Sequence, residues 1–353
     1  MPVFPSELTF FVDIIDYVEV TVRATAIVLG ALLATGIAAA GCGGVNEAGA
    51  GGNDRISLVA YSTPREAYEA LIPAFQKTQP GQGVTFQQSY GGSGEQSRAV
   101  EAGLPADVVG FSLEPDITRL VDAGLVQTNW ADPEFNGMVT DSVVVLAVRK
   151  GNPKDIHGWD DLIEEGVEVV TPNPFTSGGA RWNVMAAYGA QLKQGKTPDQ
   201  AVDYLNELFH HVSVQDKSAR DSLQTFAAGK GDVLIAYENE AITAQQKGED
   251  LEYVIPDQTI LIENPIAVTE TGGAAAKAFV DYLRTPAAQK IFAEKGYRSI
   301  RSDLVDQAKY PAPADLFTIA DLGGWSDVKD KFFDRDNGIV AGIERELGVP
   351  TDD

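Results

Sequence analysis

The sequence has a single cysteine, Cys42, in 353 residues. An internal disulfide framework and a thiolate metal cluster are thereby excluded. Histidine is almost as scarce: there are three, His157, His210 and His211, two of them adjacent and so unable to share a helix face. No zinc motif and no Gly-x-Ser-x-Gly nucleophile turn accompanies them, and no glycine turn carries the Lys-Ser/Thr of a nucleotide-phosphate loop. The acidic pairs Asp160/Asp161 and Glu164/Glu165 read as solvated helix surface rather than acid and base. The other shortage is positive charge. Lysine and arginine together number 27 against 51 aspartates and glutamates, a net charge of −24, which argues against nucleic acid or an anionic membrane surface as partner. An anion held by this chain has to be held by local donors.

Against these absences stands a composition that is 44% hydrophobic and 22% charged, enough for a large core and two domains. The longest run of small and apolar residues, Ala24–Ala40, follows Arg23 and ends in Ala39-Ala40-Gly41-Cys42. It reads as a secretory h-region with a small-residue cleavage site. The competing reading is an uncleaved anchor helix, against which stand its short length and the internal Gly30 and Gly36. Met1–Glu19 carries Glu7, Asp13, Asp16 and Glu19 and no basic residue, unlike a signal n-region, and reads as a start-site artefact. Residues 1–41 are thus assigned as a signal segment and 42–53, rich in Gly, Ala and Asn, as a flexible linker.

From residue 54 onward, strand patterns alternate with helix patterns, which predicts an α/β fold with parallel sheets. Ile56–Tyr61, Val84–Ser89 and Ala106–Phe111 read as strands of a first lobe over residues 54–140. Ser142–Arg149 is the most hydrophobic strand and is placed just after a crossover into a second lobe, 141–244, with strands at Val167–Thr171, Val212–Val214 and Val233–Tyr237. Residues 245–353 return to the first lobe and end in a segment that wraps the surface, with a last helix near Ile339–Leu347. No internal repeat is visible.

Four strands run into polar helix starts: Ser62-Thr63-Pro64, Gly91-Gly92-Ser93-Gly94, Ser177-Gly178-Gly179 and Ser218-Ala219-Arg220. The first turn of a helix leaves backbone N–H groups without partners, and the helix dipole makes that end favourable for negative charge by about 0.3–2 kcal/mol. A serine hydroxyl donating to a charged group adds about 1.5–3 kcal/mol. Ligands of parallel α/β sheets sit at the carboxyl ends of the strands, where all four starts lie. Arg65, Arg98, Arg181 and Arg220, in the first turns, read as ion-pair partners of the many carboxylates rather than as ligand contacts.

Tyr90–Gln96, Val148–Lys154, Thr171–Pro174 with Ser177–Asn183, and Gly231–Glu240, in this order, resemble the periplasmic sulfate-binding proteins of ABC importers. The resemblance implies a two-lobe, type II periplasmic-binding fold, each lobe a mainly parallel sheet flanked by helices, closing over one dehydrated sulfate. It implies hydroxyl donors at Ser93 and Ser177, and backbone donors at Ser93, Gly178, Gly179, Ala219 and Ser62, the last where the family usually carries aspartate. Tyr237 stands where the family places a tryptophan that donates to the anion; here it is either a ligand donor or a strand-end aromatic. Cys42 resembles a lipoprotein acceptor, with Ala39 where leucine is usual. The implied protein is an extracytoplasmic, lipid-anchored monomer that delivers sulfate to a membrane permease and needs no cofactor, metal or catalytic group. Thiosulfate, molybdate and tungstate remain alternative ligands, and a surface hydrolase of sulfate or phosphate esters is the alternative class.

Overall fold

The structure is a computed structural model and describes residues 55–351. The expected signal segment, Cys42 and the linker lie outside the described residues. The first elements are β1 (Arg55–Tyr61), α1 (Arg65–Gln76), β2 (Thr85–Gly91), α2 (Ser93–Glu101), β3 (Val108–Gly110), α3 (Glu114–Asp122) and the long β4 (Met138–Arg149). They are followed by β5 (Val169–Pro172), α4 (Gly178–Lys193), α5 (Pro198–His210), β6 (Val212–Asp216), α6 (Ala219–Ala227), β7 (Val233–Tyr237) and α7 (Glu238–Gln246). The chain continues through β8 (Leu251–Val254), β9 (Gln258–Val268), α8 (Ala274–Leu283), α9 (Pro286–Glu294), β10 (Asp315–Phe317), α10 (Gly324–Phe333) and α11 (Ile339–Glu346).

The strands follow the order β2-β1-β3-β9-β4-β7-β5-β6. At one end β1 lies between β2 and β3, all parallel; at the other β5 lies between β6 and β7, all parallel. The same arrangement, an earlier strand flanked by its two successors, therefore occurs twice without any repeat in sequence. Between the two trios run β4 and β9, antiparallel to each other and to their neighbours in the path. β4 pairs through Met138–Val143 with β9 and through Val144–Val148 with β7, so one continuous strand joins the two halves; β9 does the same, reaching β3 through Ile266–Val268.

Alternation explains why these strands read as unbroken apolar runs. In β1, Ile56, Leu58 and Ala60 pack with α1, α8 and α9, while Val59 joins α2 and α3 on the other face. In β4, Val144, Leu146 and Val148 face the cluster of α4 and α5, and Val143, Val145 and Ala147 face that of α6 and α7. A sheet covered on both faces has no polar side to show. The C-terminal helices bury Trp325, Val328 and Phe332 in the α4–α5 cluster, with Trp325 edge-on to Trp182 at 4.7 Å.

Helix α4 lies close over β9 and β10, and Gly189 is the point of contact: a Cβ there would stand 2.2 Å from the Phe317 ring. Gly189→Ala is therefore expected to destabilise the protein by about 1–3 kcal/mol through overpacking. Combined with Phe317→Leu, the loss measured by urea unfolding should be smaller than the sum of the two single losses. Strict additivity would show that the two residues do not meet.

Candidate functional site

The carboxyl ends of β1 and β2 in one trio, and of β5 and β6 in the other, bring their following turns to one cavity. Ser62, Gly92, Ser93, Ser177, Gly179 and Ala219 line it. Its interior is small, about 10 Å³, the space of a single small ligand. Gly92 is required by the approach of the two halves: a Cβ there would lie 2.7 Å from the Thr176 carbonyl oxygen.

Side-chain caps are present at some helix starts and missing at others, with α8, α10 and α11 among the uncapped ones away from the cavity. Away from it, α5 is closed by Thr197 and Gln200 in a capping box and α9 by Thr285, each side chain accepting from the third helical N–H. At the cavity, α4 begins with no side-chain cap although Ser177 occupies its capping position, and at α2, whose N-cap is Gly92, Glu95 accepts from the Gly92 N–H at 3.4 Å. At α6, Ser218 accepts from Asp221 N–H, leaving the N–H groups of Ala219 and Arg220 in the uncapped first turn. The N–H groups of an uncapped first turn have no partner within the helix.

Two of the side chains expected as ligand contacts have their hydroxyls engaged elsewhere. The hydroxyl of Ser93 donates to Asp116 Oδ2 at 2.6 Å and accepts from Ser112 N–H at 2.9 Å, so its proton is already engaged. Tyr237 lies behind the cavity, because its hydroxyl is drawn to Ser112 Oγ at 2.6 Å and its ring backs Gly179. Burial pushes that phenol well above its usual range. Gly178, the residue after Ser177, packs against the turn after β3, where a Cβ would meet Ser112 Cβ at 2.8 Å. Ser62, Ser177, Gly179 and Ala219 line the cavity.

Ser112, which follows β3, ties these groups together. Its carbonyl accepts from Trp182 Nε1 at 2.8 Å and Asn264 Nδ2 at 3.0 Å, its N–H donates to Ser93, and its hydroxyl meets Tyr237. The third strand of each trio thereby meets the other behind the cavity, β3 through Ser112 and β7 through Tyr237.

No charged side chain is among the lining residues. Arg220 instead donates across the halves to the Ser62 carbonyl at 3.2 and 3.3 Å and to Glu66, and Lys247 pairs with the same carboxylate. Burial would raise the Glu66 carboxyl, but hydrogen bonds from Arg220 and Lys247 outweigh it and hold the group down to about 2. Beside it Thr63 donates to Glu240 at 3.2 Å. Burial pushes Glu240 up to about 7 despite Arg220 and Thr63. A neighbouring cavity of about 170 Å³ is lined by Glu66, Glu240 and Glu249 together with Arg220 and Lys247; its carboxylates make it a poor anion site. Arg65 pairs with Glu69 at 3.7 Å, and Arg181 donates from Nε to the Pro174 carbonyl at 2.8 Å.

Sequence reasoning missed Ser112, Asp116 and the Glu66–Arg220 pair. Ser112 carried a usable signal, a hydroxyl directly after a buried strand. Asp116 reads as an ordinary first-turn acid of α3, and nothing local tells that it faces Ser93.

Residues 56–298 match the model of the bacterial extracellular solute-binding protein family. A sulfate-binding protein of Synechococcus elongatus is 45% identical over 316 residues, 85% of this chain and 90% of that protein. A thiosulfate-binding protein of Pseudomonas aeruginosa is 36% identical over 302 residues, 81% of this chain and 90% of that protein. The structure of the sulfate-binding protein SubI from Mycobacterium tuberculosis superposes with a TM-score of 0.76 at 45% identity, covering 80% of this chain and 100% of that one. The shared fold is that of the two-lobe periplasmic solute-binding proteins.

The buried Glu240 has a pH signature. Its carboxyl binds a proton more tightly folded, at about 7, than unfolded, at 4.5, so its contribution to stability is present below pH 4.5 and is lost as pH rises through 7. Glu240→Gln does not titrate. Relative to wild type it should gain stability between pH 5 and pH 8, by about 1–3 kcal/mol in urea unfolding; an unchanged difference would contradict the assignment.

Proposed function

This chain belongs to the bacterial extracellular solute-binding proteins, and from that membership we propose that it captures sulfate outside the cytoplasmic membrane and hands it to an ABC-type permease. One observation carries the reading: four strand-end turns, two from each half, surround a single ion-sized cavity whose lining has no charged side chain. The ligand is held by the N–H groups of the turns at Ser62, Ser93, Gly179 and Ala219 and by the hydroxyl of Ser177. These donors act locally, whereas the surface charge behind the net −24 is screened over about 8–10 Å at ordinary salt.

Residues 54–140 with part of the C-terminal segment form one lobe and 141–244 the other, and β4 and β9 are the strands about which they move. An anion that bonds both halves favours the closed arrangement, in which Arg220 reaches Glu66 and Ser62. The permease then meets a surface that exists only with ligand bound. No bond of the ligand is made or broken, so the protein is a receptor and not an enzyme. It acts as a monomer, tethered by acylation of Cys42 after cleavage of the signal segment.

Thiosulfate is the second reading, favoured by the similarity to the Pseudomonas aeruginosa protein of that name. Phosphate is disfavoured: at neutral pH it keeps a proton, and burying that proton without an acceptor costs about 1–3 kcal/mol.

Calorimetric competition among sulfate, thiosulfate and phosphate tests the proposal. Sulfate should bind at least about tenfold more tightly than phosphate; equal affinity would refute it. Ser177→Ala should weaken sulfate by roughly 10- to 100-fold, the worth of one hydrogen bond to an ion. Ser62→Ala, which keeps its backbone N–H, should stay within about twofold.

A further inference from the structure

We infer that the C-terminal helix α11 positions the second half of the anion site, with Glu344 holding the end of β6 through Gln215 and thereby fixing the turn at Ser218 and Ala219. The inference rests on the sulfate reading above and adds a positioning residue remote from the ligand.

Glu344 is fully buried, a rare place for a carboxylate. One of its oxygens accepts from Gln215 Nε2 at 2.9 Å, and the other has no hydrogen-bond partner among the described residues. Gln215 Oε1 likewise has none, so the two side chains depend on a single bond. Burying such a group costs stability that a leucine of similar size would not. The apolar contacts of α11 are already made by Val340, Ala341 and Ile343 in the cluster of α4 and α5, so helix packing does not require the carboxylate. Burial pushes the Glu344 carboxyl up to about 7, and the bond holds on both sides of that value because acid and carboxylate both accept.

The pair grips a strand that leads straight into the site. Gln215 is the last residue but one of β6, and Ser218 and Ala219, just beyond it, line the cavity. The carbonyl of Asp216 accepts from Asn173 N–H at 2.8 Å, and the carbonyl of Asn173 accepts from Ser177 N–H at 2.9 Å, so a shift of β6 is passed on to the turn that carries Ser177. Asn173 also donates from Nδ2 to the Pro350 carbonyl at 3.3 Å, past the end of α11. The C-terminal segment therefore holds both strand-end turns of the second half, the β6 turn through Glu344 and the β5 turn through Pro350. Helix α10 supports α4 from the same side, with Trp325 against Trp182 and the Arg181 guanidinium 5.0 Å from the centre of the Phe333 ring. Glu344, Gln215, Asn173 and Pro350 do not line the cavity. Neutral donors serve an anion when they are fixed to within about 0.5 Å, and one segment that keeps two turns in register does this for half of them.

Calorimetric titration of the full chain with sodium sulfate, beside amide hydrogen exchange measured without sulfate, tests the inference. Glu344→Leu should weaken sulfate by about tenfold. Glu344→Gln, which keeps an acceptor for Gln215, should restore affinity to within about twofold of wild type. Gln215→Leu removes the same bond from the strand side and should reproduce the loss, which decides the matter if Glu344→Leu does not fold. Phe279→Leu, a core change in the first half, should lower the urea midpoint and leave sulfate affinity within about twofold. The amide of Asn173, flanked by two prolines that have none, should exchange faster in Glu344→Leu or Gln215→Leu and at the wild-type rate in Glu344→Gln. Wild-type affinity in folded Glu344→Leu or Gln215→Leu, a loss as large in Glu344→Gln or in Phe279→Leu, or unchanged exchange at Asn173 would overturn the inference and leave the sulfate reading standing. Absence of sulfate binding in wild type would overturn that reading, and the exchange at Asn173 would still show whether α11 holds the two turns.

Discussion

The site depends on one constraint: its lining carries no charged side chain, so an anion there is held by neutral groups that one helix alone cannot supply. A single helix start contributes about 0.3–2 kcal/mol toward an anion. Several such starts must therefore reach one point, and parallel strands do this because every strand of a trio ends on the same edge. The sheet order supplies it twice, with β1 and β5 each flanked by their two successors.

The donors have to be rigid as well as convergent. Behind the cavity, Ser112 supplies that rigidity with four hydrogen-bonded partners drawn from α2, α4, β7 and β9. All are buried, and leaving any of them unpaired would cost about 1–3 kcal/mol. On the other side the halves are joined by charge, with Arg220 and Lys247 both on Glu66. A buried polar cluster and a charged outer contact divide the work: the first fixes the geometry of the turns, the second joins the halves.

Much of the fold was legible because it is written in local patterns. The β1 run Ile56–Tyr61, the glycine turn before α2 and the start of α4 at Ser177 were each readable from apolar periodicity and turn residues. What was not legible depends on side-chain direction across the sheet. Ser93 has the right residue type at the right place, yet its hydroxyl faces a carboxylate 23 positions away in the chain. Tyr237 ends the expected strand, and its hydroxyl is taken by Ser112, 125 positions away. The pairing of β9 with both β3 and β4 was equally hidden, because only part of Gln258–Val268 has a strand-like composition. Local physics located the turns; long-range packing decided where their side chains go.

The central claim is that neutral donors from both halves hold the anion and that no cation touches it. A crystal structure of the protein with selenate, whose heavy atom marks the ligand unambiguously, measures this directly. The account predicts selenate among Ser62, Ser93, Ser177, Gly179 and Ala219, with Arg220 still on Glu66. Selenate bound to Arg220 or Lys247, in the larger cavity beside Glu240, would contradict it.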